Sequence, residues 1–171
     1  MTVDADRDTH LRVRALTGRI GAELSEVDLA KPQGVRRDRS PPSVLAHRVV
    51  IWRGQTVGAA EQIAFASCLG SLTLGHPTLP HLTDDPEIFD LDSIAGATAN
   101  HWHTDVTFVD RPPIFSVLRA LVVPEVGGDT LWANTVAAYR DLPDDLRQLA
   151  DGLRAVHSNG HDYDRMDVAG S

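Results

Sequence analysis

The apolar residues of this chain come in short runs, each stopped within a few positions by glycine, proline or a polar cluster. Such punctuation disfavours long helices and favours short strands joined by turns. "LRVRALTGRIGAEL" alternates in places and turns at Thr17–Gly18, which predicts two short opening strands. "HRVVIWRGQ" holds a compact run from Val49 to Trp52 ended by Gly54, the pattern of a buried strand. "AAEQIAFASCLG" reads as a helix with Gly70 as its C-terminal stop. Further strands are predicted for "EIFDLD", for "HWHTDVTF", and for residues 114–122 of "IFSVLRALVV", the last of them central. "HPTLPHLTDDP" is loop, and "VGGDTLWAN" is a turn leading into a short strand. Asn134 caps a short helix through Tyr139, and Pro143 opens another with Leu146, Leu149, Ala150 and Leu153 on one face. Pro41 and Pro42 interrupt "KPQGVRRDRSPPSVLAHRVV" and leave only a short helical piece after Pro42. The expected class is mainly β with helices (α+β), a sandwich or barrel with helical decoration.

Composition narrows the function. The 171 residues are one domain's worth, and 42% hydrophobic with 23% charged residues is an ordinary globular balance. A net charge of −8 argues against a nucleic-acid partner, which needs a basic surface, but leaves a small anionic substrate open. Cys68 is the only cysteine, so neither an intrachain disulfide nor a zinc ribbon can form; in its apolar stretch it is expected to be an inert buried thiol. "MTVDADRDTH" has no apolar h-region, and no apolar run reaches membrane-spanning length, so the expectation is a soluble cytoplasmic protein with no membrane partner.

"HWHTDVTF" carries the chemistry. On a strand, His101, His103 and Asp105 share a face, and imidazole with carboxylate suits ferrous iron, zinc or manganese. The spacing is weak by itself, because about one His-x-Asp arises by chance in a chain of this composition. A solvated strand face with two surface histidines is the plain alternative. Residues i and i+4 of a strand stand roughly 13 Å apart, so one strand cannot supply all three ligands and a third must come from elsewhere.

The surrounding residues add specificity. "NHWHTDVTFVDRPPIFSVLRALVVPEVGGDTLWANTVAAYRDLP" resembles the taurine dioxygenase (TauD/TfdA) family of iron(II)- and 2-oxoglutarate-dependent dioxygenases. "GRIGAELSEVDLAKP", "LAHRVVIWRGQ", "IAFASCLGSLTLGHP" and "LRAVHSNGHDYD" resemble family segments in the family order, and "ANHWHTDVTF" with "LRAVHSNGHDYD" leans to the alkylsulfate-cleaving branch. The resemblance implies a double-stranded β-helix (jelly roll) formed in part, and a single TauD/TfdA-like domain over residues 1–171. It implies His103 and Asp105 as two members of a 2-His-1-carboxylate iron site, with His101 a neighbour only. It gives Thr130 a 2-oxoglutarate carboxylate and His76 the sulfonate or sulfate group of the substrate; Trp132 lines the iron pocket or fills core. Leu79 and Ala99 stand where taurine dioxygenase has tyrosine and asparagine, which points away from taurine; Asn100 could replace the lost amide. Gly127 and Gly128 serve the turn.

The implied reaction uses Fe(2+), 2-oxoglutarate and O2 to hydroxylate the sulfur-bearing carbon of an organosulfonate or alkyl sulfate ester. Its products are an aldehyde, sulfite or sulfate, succinate and CO2. The family's distal iron histidine and its 2-oxoglutarate arginine fall beyond the position that aligns with Ser171; His157, His161 and Arg165 match neither. The domain is therefore expected to be truncated on its C-terminal side, with the later jelly-roll strands missing, residues 114–122 exposed, and metal held weakly. Two readings follow: an enzyme whose second half comes from a companion chain or a homo-oligomeric partner, or a catalytically inactive remnant or binding module. A zinc hydrolase built on His101 and His103 is a distant third.

Overall fold

A computed structural model describes residues 12–31, 40–73, 84–91, 101–158 and 160. The chain packs as two compact units, Met1–Asp90 with Val117–Arg140, and Leu91–Ser116 with Asp141–Ser171. His76, Leu79, Ala99, Asn100, His161 and Arg165 lie outside the described residues, as does most of the proline-rich loop predicted for 76–86.

The first unit holds a three-stranded sheet in the order β1 (Arg12–Ala15), β2 (Ala22–Ser25), β3 (Val50–Trp52). β1 and β2 form the predicted antiparallel hairpin, with Val13 opposite Leu24 and Arg14 opposite Glu23. Its turn is held by the Thr17 hydroxyl, which donates to the Ile20 carbonyl at 2.6 Å while accepting from the Arg19 and Ile20 amides. A threonine able to satisfy local backbone groups is what makes that turn readable in sequence. β3 runs parallel to β2, with Ala22 opposite Val50 and Leu24 opposite Trp52. A parallel neighbour needs a long crossover, and α1 (Ser40–His47) lies within it.

Pro41 and Pro42 fall at the start of α1 and do not interrupt it. The first-turn amides of a helix have no intrahelical acceptor, so missing N–H groups there cost little. The short helical piece expected after Pro42 is present and takes in both prolines in its first turn.

α2 (Ala59–Leu69) follows the predicted span, with Gly70 after it. Glu61 reaches back to accept the Gly58 amide at 2.8 Å, satisfying one of the orphan donors. Its inward residue Phe65 is 2% exposed and packs with Leu29, bordered by Val27, Trp52, Val57, Leu69 and Val117. The Trp52 and Phe65 rings meet edge to face, with centroids 5.3 Å apart at 77°. Gln55 ties the β2 exit to this core, accepting the Leu29 amide and donating to the Val27 carbonyl, both at 2.9 Å. Two further bonds fasten the later chain to it: Gln62 Nε2 donates to the Val117 carbonyl at 3.3 Å, and Arg119 Nη1 to the Val57 carbonyl at 2.6 Å. Cys68 is half-buried, its thiol donating to the Ala64 carbonyl at 3.3 Å.

Glu23 occupies the face of β2 opposite Ala22 and Leu24, between two guanidiniums. Its Oε2 accepts from Arg53 Nε at 2.8 Å and from Arg14 Nη2 at 2.9 Å. These hydrogen bonds, Arg53's first and then Arg14's, hold its carboxyl below the ordinary range. A carboxyl depressed in the folded state stabilises the fold above its unfolded pKa, and that contribution is lost as pH falls through the folded one. The urea midpoint is therefore expected to fall as the pH is lowered through and past the carboxylate range, less steeply in Glu23→Gln and at high salt. Equal slopes in parent and variant would show that this triad has no part in acid unfolding.

Four predicted strands are not formed among the described residues. Residues 114–122 join no ladder there, although burial alternates residue by residue from Pro113 to Ala120. Their outward side chains are bare, with Ile114 85% and Val122 89% exposed. In "EIFDLD" only Phe89 makes an isolated bridge among the described residues, and after the Gly127–Gly128 turn (φ 80° and 70°) no strand follows there. Strand propensity favours extended backbone, but a strand exists only once a partner supplies the ladder. The fourth failure, at residues 101–108, makes the candidate site.

α3 (Thr135–Arg140) is capped as the sequence implies: Asn134 Oδ1 accepts the Ala137 amide at 3.0 Å. Asn134 Nδ2 also donates to the Arg19 carbonyl at 2.6 Å, tying this helix start to the opening hairpin. In the second unit α4 (Asp144–Asp151) begins after Pro143, and Leu146 and Leu149 on its predicted apolar face are exposed. Among the described residues, no helix is long and apolar enough to cross a membrane.

Candidate metal centre

The stretch 101–108 turns where a strand was predicted, with residues 105–108 in turn conformation. Val106 adopts φ 53°, a left-handed value that a β-branched residue rarely accepts, and the Val109 amide approaches the Val106 carbonyl at 3.5 Å. Strain of this kind is found where a side chain must be aimed. Here the neighbouring Asp105 is turned back onto His103, so that His103 Nε2 lies 3.2 Å from Asp105 Oδ1.

The unused atom of each group is held elsewhere. His103 Nδ1 lies 3.0 Å from the His101 carbonyl oxygen, which can only accept; Nδ1 is therefore the donor, and Nε2 is the nitrogen that a metal ion would take. Asp105 Oδ2 accepts the Ser116 hydroxyl at 3.1 Å, leaving Oδ1 toward His103. The pair thus places one imidazole nitrogen and one carboxylate oxygen 3.2 Å apart. Two adjacent ligands about 2.1 Å from one ion stand about 3 Å apart, so the 3.2 Å separation suits a shared divalent metal. The donor set fits iron(II), and a backbone carbonyl on the far nitrogen is the usual outer partner of a metal-binding histidine.

The two side chains are 47% and 55% exposed. The His101 ring lies 5.8 Å from that of His103, tilted by 56°. Among the described residues no third His, Cys, Asp or Glu joins the pair in a metal-sized group. His157 Nδ1 lies 2.8 Å from the Thr107 hydroxyl, which anchors the far side of the turn. Sequence reasoning named His157 without a role and passed over Ser116. A hydroxyl eleven residues from the aspartate gives no local signal, and only the fold brings the two together.

Thr130 and Trp132 belong to the first unit. Thr130 follows the Gly127–Gly128 turn and is exposed, and Trp132 is 48% exposed, outside the buried core.

Comparison with known proteins places the chain in a family. The model of the family described as "Taurine catabolism dioxygenase TauD, TfdA family" matches residues 12–169. The chain belongs to the TauD/TfdA family. An alkylsulfatase of Acinetobacter baylyi is 50% identical over 160 residues, a match that takes in 90% of this chain and 49% of that protein. An alpha-ketoglutarate-dependent sulfate ester dioxygenase of Pseudomonas putida is 45% identical over 155 residues, covering 90% of this chain and 51% of its own length. The crystal structure of a taurine dioxygenase from Burkholderia xenovorans superposes with a TM-score of 0.76 at 38% identity, covering 86% of this chain and 53% of that one. The chain spans about half the length of the curated relatives it matches. As a TauD/TfdA member it shares its fold family with that structure, and its small sheet and helices are consistent with part of such a fold.

Proposed function

We propose that this TauD/TfdA chain serves an iron(II)- and 2-oxoglutarate-dependent dioxygenase reaction on an alkyl sulfate ester, with His103 Nε2 and Asp105 Oδ1 as two of the protein ligands to iron. The observation that carries the reading is their 3.2 Å approach, in a chain whose relatives include a sulfate ester dioxygenase. Iron with 2-oxoglutarate and O2 supplies the oxidant that converts a C–H bond to C–OH, with release of succinate and CO2. The chain's own residues bind and orient. The Thr130 hydroxyl donates to a carboxylate of 2-oxoglutarate, the His76 imidazole and the Asn100 amide donate to the anionic sulfate oxygens, and the Trp132 ring walls the substrate. Hydroxylation of the carbon bearing the sulfate gives an unstable product that splits into aldehyde and sulfate.

On this reading, the third iron ligand, the arginine that pairs with 2-oxoglutarate and the remaining jelly-roll strands belong to the part of the relatives' length outside this sequence. The competing reading, a non-catalytic binding module, draws on the absence of a third metal-ligating residue beside the pair among the described residues.

Anaerobic titration of the protein with ferrous iron and 2-oxoglutarate separates the two. A saturable visible charge-transfer band, lost in His103→Ala, is the expected result. Soluble, folded protein without the band would leave the binding-module reading standing.

A further inference from the structure

We propose that Ser116 is a positioning residue for the Asp105 carboxylate and so sets the affinity and geometry of the metal ion bound there. The inference rests on the proposed role of His103 and Asp105, and it concerns a residue that the sequence left without a task.

A carboxylate on an exposed turn can rotate, offering one oxygen, the other or both to a cation. Asp105 is more than half exposed, so burial does not fix it. What fixes it is the Ser116 hydroxyl, donating to Oδ2 at 3.1 Å while Oδ1 faces His103 Nε2 at 3.2 Å. With one oxygen occupied by a donor, the carboxylate presents a single oxygen beside the imidazole nitrogen. The bond also complements the one on the other ligand, since the His101 carbonyl fixes the His103 ring through Nδ1 at 3.0 Å. One ligand is thus oriented by main chain and the other by a side chain.

The backbone at Ser116 supports this role. Pro112 and Pro113 restrict the chain before it to extended conformations, and the alternation of burial from Pro113 onward puts Ser116 on the exposed side. A hydroxyl on a short side chain loses little rotamer freedom in making the bond.

The test uses the whole chain and ferrous iron under anaerobic conditions, with affinity measured by competition against a chromogenic chelator. Ser116→Ala is expected to weaken iron binding about tenfold, the lower part of the range for outer-shell partners of metal ligands. Ser116→Thr, which keeps the hydroxyl, should recover most of that loss. The metal-free melting temperature should be the same in all three proteins, and the visible maximum with 2-oxoglutarate should move in Ser116→Ala only. Parent-like affinity in Ser116→Ala, with binding still lost in Asp105→Asn, would overturn the role of Ser116 and leave the ligand pair intact. A lower melting temperature at unchanged affinity would make the bond purely structural and overturn the inference too. If the parent binds no iron, or binds it equally well without Asp105, the ligand pair itself fails and the role of Ser116 with it.

Discussion

Phe65→Ala is expected to destabilise the first unit by about 3–5 kcal/mol, the usual cost of emptying a fully buried aromatic site. Phe65 is 2% exposed and stands where the apolar side of α2 meets Leu29 and the edge of the Trp52 ring. Few other buried side chains could share the loss: among the described residues the buried hydrophobic set is Ala22, Leu24, Leu29 and Phe65. The hydrogen bonds from Gln62 and Arg119 that fasten residues 117–119 beside it depend on α2 staying in place. Domains of ordinary stability have roughly 5–15 kcal/mol in hand, so the variant should lose a large share of its stability and unfold at a much lower urea concentration. Phe65→Leu keeps most of the volume and should cost much less, about 1–1.5 kcal/mol. Urea denaturation followed by far-UV circular dichroism reads both. A Phe65→Ala midpoint within error of the parent would mean that the α2–sheet contact does not support the fold.

What the sequence revealed of this architecture divides along a physical line. Thr17–Gly18, Gly70 and Asn134 act on backbone groups a few residues away, and the hairpin, the end of α2 and the start of α3 all stand where those residues put them. Residues 113–120 show the limit of local information. Their apolar run is written in the sequence, and burial alternates along it, yet no ladder forms among the described residues, because pairing is a property of two segments and not of one. The misread of 101–108 has a different origin. Trp102, Val106, Thr107 and Phe108 favour extended backbone, but Val106 lies in the left-handed region, at a cost that tertiary contacts must meet. The pairing of His103 with Asp105 was named from the motif, whereas its means, a turn in place of a strand face, was not. Ser116 and the His157–Thr107 contact lay further out of reach, separated from their partners by 11 and 50 residues.

Asp105→Asn carries the second large effect. The amide preserves size and can still accept the Ser116 hydroxyl, so the turn should persist and the metal-free protein should melt as the parent does. What disappears is the negative charge beside His103 Nε2, and a neutral amide oxygen is a far poorer partner than a carboxylate for a hard or borderline divalent ion. Outer-shell changes typically reduce metal affinity by about 10–100-fold; loss of a charged ligand should exceed that. A drop of more than about a hundredfold in ferrous iron affinity, at least about 2.7 kcal/mol, is the expected result. His101→Ala provides the contrast. The atom of residue 101 that holds His103 is its carbonyl oxygen, which survives the substitution, so affinity should stay within about twofold of the parent. Chelator competition measures all three proteins. Comparable iron affinity in Asp105→Asn and parent would mean that the 3.2 Å contact is an ordinary histidine–aspartate hydrogen bond on an exposed turn, and the metal would have to be sought elsewhere in the chain.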